Sequence, residues 1–443
     1  MKIIQSTRPN CAGIDVGSEQ MFVAFPNQEV KSYSTYTSAL QQLVSDLIAA
    51  GVTSVAMEST GVYGFILFDM LRKAKLEVYM VHPKYTKSRS GKKTDVQDCQ
   101  WIQQLHQVDL LEPSFIPTAE IEQLRTYVRL RENHISAQAQ QVNRMQKALV
   151  QMNIRIDTVL SQVHGVSGLK MIRAILQGER DPAVLLSLCH TKIKNTKGEA
   201  LKEALRGYYL PHYLFALEQA VQSFDFISEQ IKACDQQIDQ LMAQMTQDLP
   251  EVAAEELPPA KRIRHHRPEI SELQRYIYQL CGNRDLTQLP GFTDYSLMRL
   301  LAEVGGDLSA FPTAKHFTSW LKLAPGQKRS GKSRKRVKAK EAPKAGQILR
   351  EMAQSLMKSK TIALGAFGRR IRARKGPAAA IKALARKLAV LFYHAMTKGI
   401  EYVEQGVQQY KKRVQQQKIK AFLKQADDLG VSVDMSTLSM DVS

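Results

Sequence analysis

A chain of 443 residues with 44% hydrophobic and 23% charged side chains folds, with length for about two to four domains, and is neither wholly disordered nor collagen-like. Its 62 Lys and Arg outnumber 42 Asp and Glu, and the net charge of +20 points to a polyanionic partner, nucleic acid. No run approaches the ~20 apolar residues that span a bilayer, MKIIQSTRPN lacks a signal peptide's apolar core, and five scattered cysteines without CxxC spacing favour neither disulfides nor a thiolate zinc site, so a cytoplasmic protein with buried, reduced thiols is expected.

From Cys11 to about Leu105 short strand-like and helix-like stretches alternate, the pattern of an α/β domain. CAGIDV and MFVAF predict two strands around a tight GSEQ turn, and VKSYSTY a third. SALQQLVSDLIAA predicts an amphipathic helix stopped by Gly51. TSVAME is a fourth predicted strand, VYGFILFDMLRKA a helix, LEVYMV a fifth strand ending at His82-Pro83, and VQDCQWIQQL another helix. The order βββαβαβα is ribonuclease-H-like.

After Pro117 long helices are expected. Ile121, Leu124 and Val128, then Val142, Met145, Leu149, Met152, Ile156 and Val159, write one apolar stripe; Leu217, Val221, Phe224, Ile227, Ile231, Cys234, Ile238, Leu241 and Met245 write a second. Two such stripes suit a coiled-coil arm, and the spacing fits a hairpin within the chain and a dimerisation contact equally well. Residues 251–267, with two prolines and a switch from acidic to basic, read as a linker. LTQLPGFTDYSLMRLLAEVGG resembles a helix-hairpin-helix element, in which a Leu-Pro-Gly turn offers backbone N–H groups to a phosphate. Lys328 to Lys344 then carries nine Lys or Arg against the single acid Glu341, Gly368 to Lys387 is a further basic stretch, and the tail from about Ala426 is polar and expected to be disordered.

The carboxylates carry the chemistry. Asp15 falls in the first predicted strand between Gly13 and Gly17, and Glu58 ends the fourth. In a ribonuclease-H-like sheet those strands are neighbours. Asp95 and Asp98, three apart at a helix start, project from one side of it. Four converging acids repel one another unless a cation neutralises them, and hard oxygen ligands suit Mg²⁺ or Mn²⁺ beside a phosphodiester. Taken singly, an acid in such a place is usually a helix cap or a solvated side chain; the joint placement of four favours metal-dependent phosphoryl transfer. An actin-like or sugar-kinase ATPase, the rival use of IDVGS, would need a second phosphate loop and an adenosine motif, neither of which is found.

GIDVGS, MESTGVYG and GKKTDVQDCQWI, followed downstream by LPGF and LAPGQKRSGKS, resemble the DEDD transposases of the insertion-sequence one-ten family, also called bridge-RNA-guided recombinases and related to Piv-type DNA invertases. The resemblance covers about residues 11–150 and 284–400. It implies an N-terminal ribonuclease-H-like (RuvC-like) domain at 1–115, a helical coiled-coil domain at 116–250, a linker at 251–283, a C-terminal mainly helical transposase domain at 284–410, and a basic helix and tail at 411–443. It places the family's four acids on Asp15, Glu58, Asp95 and Asp98 as catalytic and metal-binding residues, and its catalytic serine on Ser330, five residues after Pro325. Ser333 is the competing serine. A recombining enzyme favours the dimerisation arm over the hairpin.

A hydroxyl becomes a nucleophile when its proton is removed, and cations beside it stabilise the developing charge. Lys328, Arg329, Lys332 and Arg334 supply such a field, and with Lys335, Arg336, Arg369, Arg370, Lys92 and Lys93 they are the expected nucleic-acid contacts. By similarity, Ser330 attacks a DNA phosphate to form a phosphoserine link, with the acids and the serine meeting in a composite site of a homodimer or homotetramer that bridges donor and target DNA through a structured noncoding guide RNA. The chain departs from compact family members in its longer middle, around 157–283, and in its Lys/Arg-rich serine loop. His265 and His266 lie in a basic linker without Cys or carboxylate partners and receive no role. The rivals are a junction-resolvase-type nuclease that uses the acids and water alone, and a nucleic-acid-binding scaffold without activity.

Overall fold

The computed structural model describes residues 7–27, 29–58, 61–86, 94–263, 265–324, 327–330, 333–336, 342–399 and 406–429. It divides into two compact units, Met1–Ile116 and Pro117–Ser443. Among the described residues no helix is long and apolar enough to cross a membrane, and all five cysteines are buried and unpaired.

The first unit holds a five-stranded mixed sheet. In chain order it contains β1 (Cys11–Val16), β2 (Gln20–Ala24), β3 (Val30–Ser34), α1 (Thr37–Ala49), β4 (Ser54–Glu58), α2 (Phe65–Lys73), β5 (Glu77–Val81), α3 (Pro83–Thr86) and α4 (Asp95–Gln107). The spatial order is β3-β2-β1-β4-β5, with an antiparallel β1-β2-β3 meander and parallel β1-β4 and β4-β5 pairs. Parallel neighbours need crossovers, which α1 and α2 provide. The one-turn α3 falls where no helix is predicted.

The two-residue period of a strand decides which element each side chain meets. Ile14 and Val16 of β1 with Val55 and Met57 of β4 pack on Leu40, Leu43 and Leu47 of α1 and Leu67 and Leu71 of α2. The alternate positions, including Ala56 and Val81, meet Ile102 of α4. Helix α4 lies unusually close to β1. A Cβ on Gly13 would stand 2.3 Å from the Gln103 amide nitrogen and 2.4 Å from the Cys99 carbonyl oxygen, so only glycine admits this approach.

At the start of β4 a polar network closes the same face. Arg8 donates to Ser54 (3.4 Å), Tyr79 (2.7 Å), Asp109 (3.2 Å) and Glu77, and the Ser54 hydroxyl meets His106 Nε2 at 2.7 Å. Burial, and then Arg8, hold the His106 imidazole neutral, with its pKa pushed down to about 4.

The second unit is mostly helical. Helix α5 (Ala119–Gln151) and helix α10 (Pro211–Thr246) run antiparallel along each other, joined by α6 (Ile156–Val159), α7 (Val166–Leu176), α8 (Pro182–Ser187) and α9 (Thr191–Ala204). The two apolar stripes therefore pack on each other within the chain, as a hairpin. At one end Met145, Leu149, Met171, Leu185, Leu201 and Leu217 form a core with the short helices, which occupy the longer middle region. Between the stripes' apolar portions the seam is polar. Gln138 donates to Ser228 (2.8 Å), and Arg131, 1% exposed, donates to both carboxylate oxygens of Asp235 (2.5 and 3.4 Å) and to the His266 carbonyl (3.2 Å).

At the other end follow α11 (Leu273–Leu280), α12 (Asp294–Val304), α13 (Ala314–Trp320), a β6 (Gln327–Ser330) and β7 (Ser333–Arg336) ribbon, α14 (Lys344–Leu356), α15 (Ala363–Lys375), α16 (Pro377–Lys398) and α17 (Gly406–Asp428). Helix α11 falls within the segment read as a linker, and its Leu273, Tyr276 and Ile277 are buried. Phe292, Phe317 and Phe392 stack in the core, with ring centroids 6.0 to 6.2 Å apart. Arg125 caps the α12 carbonyls of Ala302 and Glu303, while Arg129 grips the Glu303 carboxylate through two 2.8 Å bonds.

Gly13→Ala is expected to force α4 off the sheet, destabilising the protein by about 1–3 kcal/mol, which a melting curve would register. Protonating His106 favours the unfolded chain, so its contribution to stability is complete above about pH 6.5 and is lost as the pH falls toward about 4. His106→Gln should flatten the fall in melting temperature over that window; an unchanged profile would remove His106 from the account.

Candidate active site

Strand register brings Asp15 and Glu58 to one place. Ile14 pairs with Met57 in the parallel β1-β4 ladder, so the next residues along the two strands are Asp15 and Glu58. Neighbouring strands are about 4.8 Å apart. The alternation that sends Ile14 and Met57 toward α1 and α2 sends Asp15 and Glu58 to the opposite face, which α4 covers.

Helix α4 runs opposite to β1. The Cys11 thiol reaches the Gln103 carbonyl (3.7 Å), Gly13 touches Cys99 and Gln103, and the first turn of α4, with Asp95 and Asp98, lies toward the Asp15 end of β1. The Thr94 hydroxyl caps this helix by accepting from the Gln97 amide (3.3 Å). The buried Cys99 thiol senses both acids: burial first, then Asp15 and more weakly Asp98, push its pKa up to about 12. Asp15, Glu58 and Asp98 are half-buried, whereas Asp95 is exposed at the outer edge.

One participant was missed from the sequence. Thr86, 5% exposed in α3, donates its hydroxyl to Glu58 Oε2 at 2.5 Å. PKYT carries no signal for this, because the contact joins residues 28 apart through the fold of the sheet.

Among the described residues no three carboxylates, histidines or cysteines stand close enough to form a ready-made metal cage. The donor set nevertheless fits a divalent cation. The groups are hard carboxylate oxygens at one sheet end, and Mg²⁺ is commonly held by one or two carboxylates with water and substrate phosphate completing its shell.

The other expected residues belong to the second unit, except Lys92 and Lys93, which lie outside the described residues, as does Lys332. Strands β6 and β7 pair antiparallel with Gln327 opposite Arg336, Lys328 opposite Lys335, Arg329 opposite Arg334 and Ser330 opposite Ser333. The serine of interest and its competitor are thus the last register pair of one basic ribbon. Arg369 is engaged internally: it donates to the Met357 carbonyl (3.0 Å) and to that of Ser359, closing the end of α14. Arg370 lies over the Tyr410 ring, 5.6 Å from its centroid. On the same helix Arg372, Arg374 and Lys375 are exposed. Residues 352–400 contain no Asp or Glu, so no acid within this stretch of sequence offsets its charge.

Comparison with known families assigns the chain. Residues 12–154 match the DEDD_Tnp_IS110 transposase model, a span that contains all four acids, and residues 283–367 match the model of the transposase IS116/IS110/IS902 family, a span that contains Ser330. No curated protein matches the chain. The first model also suggests use of a divalent metal. With both models in place and together covering just over half of the residues, the chain is a transposase of the IS110 family, an enzyme that cleaves and rejoins DNA.

Proposed function

We propose that this insertion-sequence transposase works through a ribonuclease-H-like acidic site and a serine nucleophile. The observation that carries the reading is the arrival of Asp15, Glu58 and Asp98 on one face, at the ends of β1 and β4 and the start of α4. Asp15, Glu58, Asp95 and Asp98 would hold Mg²⁺, with Mn²⁺ as a substitute. What such an ion supplies is positive charge beside the scissile phosphate and the departing oxygen. Thr86 orients the Glu58 carboxylate toward that task.

Ser330 is the proposed nucleophile. Its oxygen forms a bond to phosphorus as the bond from phosphorus to one deoxyribose oxygen breaks; the serine gives up its proton and the departing oxygen takes one up. Attack by the hydroxyl of another strand reverses this exchange and restores a phosphodiester without an energy-rich cofactor. Lys328, Arg329, Arg334, Lys335 and Arg336 lie on the same ribbon as Ser330 and would offset the phosphate charge, with Lys92, Lys93 and Lys332 as further contacts. The acid-free span 352–400 supports a second polyanion beside donor and target DNA, a structured noncoding guide RNA, and the working assembly is proposed as a homodimer or homotetramer. The turn at Pro290-Gly291, with Gly291 at φ 84° before the Thr293-capped α12, is proposed as a helix-hairpin-helix-like backbone contact.

End-labelled DNA incubated with the protein, its co-purified nucleic acid and Mg²⁺ should give a protease-sensitive, retarded species on a denaturing gel with wild type and with neither Ser330→Ala nor Asp98→Ala. Cleavage surviving in Ser330→Ala but not in Asp98→Ala would make the enzyme a hydrolytic nuclease. Thr86→Val should weaken Mn²⁺ binding, followed by electron paramagnetic resonance without DNA, by about ten-fold, and Thr86→Ser should restore it; equal binding by all three proteins would confine Thr86 to a structural role.

A further inference from the structure

Two large apolar side chains stand exposed beside this charged sheet end, Tyr85 at 52% and Trp101 at 37%. Two elements that pack on each other, α3 and α4, deliver them. Tyr85 precedes Thr86, whose hydroxyl holds Glu58. Trp101 follows Asp98 by three residues, on the same side of α4.

Phosphates are recognised by Lys and Arg, by hydroxyl groups and by backbone N–H groups, and the exposed ring faces of Tyr85 and Trp101 offer them nothing. The flat apolar surfaces of DNA are its bases, which a duplex hides in the stack. We propose that Tyr85 and Trp101 form a stacking platform for unpaired bases of the DNA strand flanking the scissile phosphate. The proposal rests on the acids being the phosphate site. Charge complementarity supports the choice of occupant: the Lys84 ammonium lies 5.3 Å from the Tyr85 ring centroid, which sets a cation for the backbone beside a ring for the base, the combination used by single-strand binding grooves.

The test uses the full chain in chelator, so that no DNA is cut. Of the two tryptophans, Trp320→Phe leaves Trp101 as the reporter. An oligodeoxythymidylate should quench its fluorescence more strongly than a mixed-sequence duplex of equal length. Tyr85→Ala should weaken single-strand binding about ten-fold with an unchanged salt slope, while Tyr85→Phe stays within about two-fold. The melting temperature should not move, because the ring is exposed. Equal quenching by the duplex, full binding by Tyr85→Ala, or tighter binding of an oligouridylate through the same residues would overturn the proposal, the last by assigning the surface to RNA. Failure of the acid assignment would show separately, as DNA cleavage surviving in Asp15→Asn.

Discussion

The absence of one side chain at Gly13 fixes the geometry of the first unit. With backbone atoms of α4 inside the volume a methyl group would need, the helix rests on β1 at a separation no other residue permits. Everything at the acidic end is measured from that contact. The strand runs two residues on to Asp15, and the helix runs back from Cys99 to Asp98 and Asp95, so two segments about eighty residues apart in sequence reach one point from opposite directions. The Ser54–His106 contact and the Arg8 network secure the far end of the same helix, and α4 is thereby held at both ends.

In the second unit the comparable constraint is polar. A buried ion pair such as Arg131–Asp235 adds little net stability over a well-packed apolar pair, because both charges lose water. Its value is specificity. Arg131 also reaches the His266 carbonyl and the Tyr295 hydroxyl (3.3 Å), and Asp235 accepts from the Glu269 amide (3.0 Å), so the seam, the segment leading to α11 and the start of α12 share one arrangement. A uniform leucine stripe could slide by a turn; this pair cannot.

Much of the first unit was legible because its strands are short apolar runs between turn residues, a pattern with few alternatives. Asp15 and Glu58 could be placed from strand ends, and Asp95 and Asp98 from helical spacing, since local periodicity alone determines which way those residues project. Thr86 was not legible, because its partner is defined by how β4 and β5 pair. The stripes on α5 and α10 announced helices that must find an apolar partner but not whether the partner is in the same chain. Charge runs were similarly mute: Arg369 reads as a surface contact, yet it closes the carbonyl end of α14. Helix α11 hid in a segment with prolines and charges because only eight residues carry its apolar face.

The paired helices of the arm have an evolutionary consequence. At 33 and 36 residues they each extend for about 50 Å, and the short helices with their own core sit where the pair turns back. Adding a matched heptad to both helices would move that terminal core outward while preserving the facing surfaces of the seam. An arm built this way can change its reach by whole steps, leaving the acidic sheet end and the basic ribbon untouched.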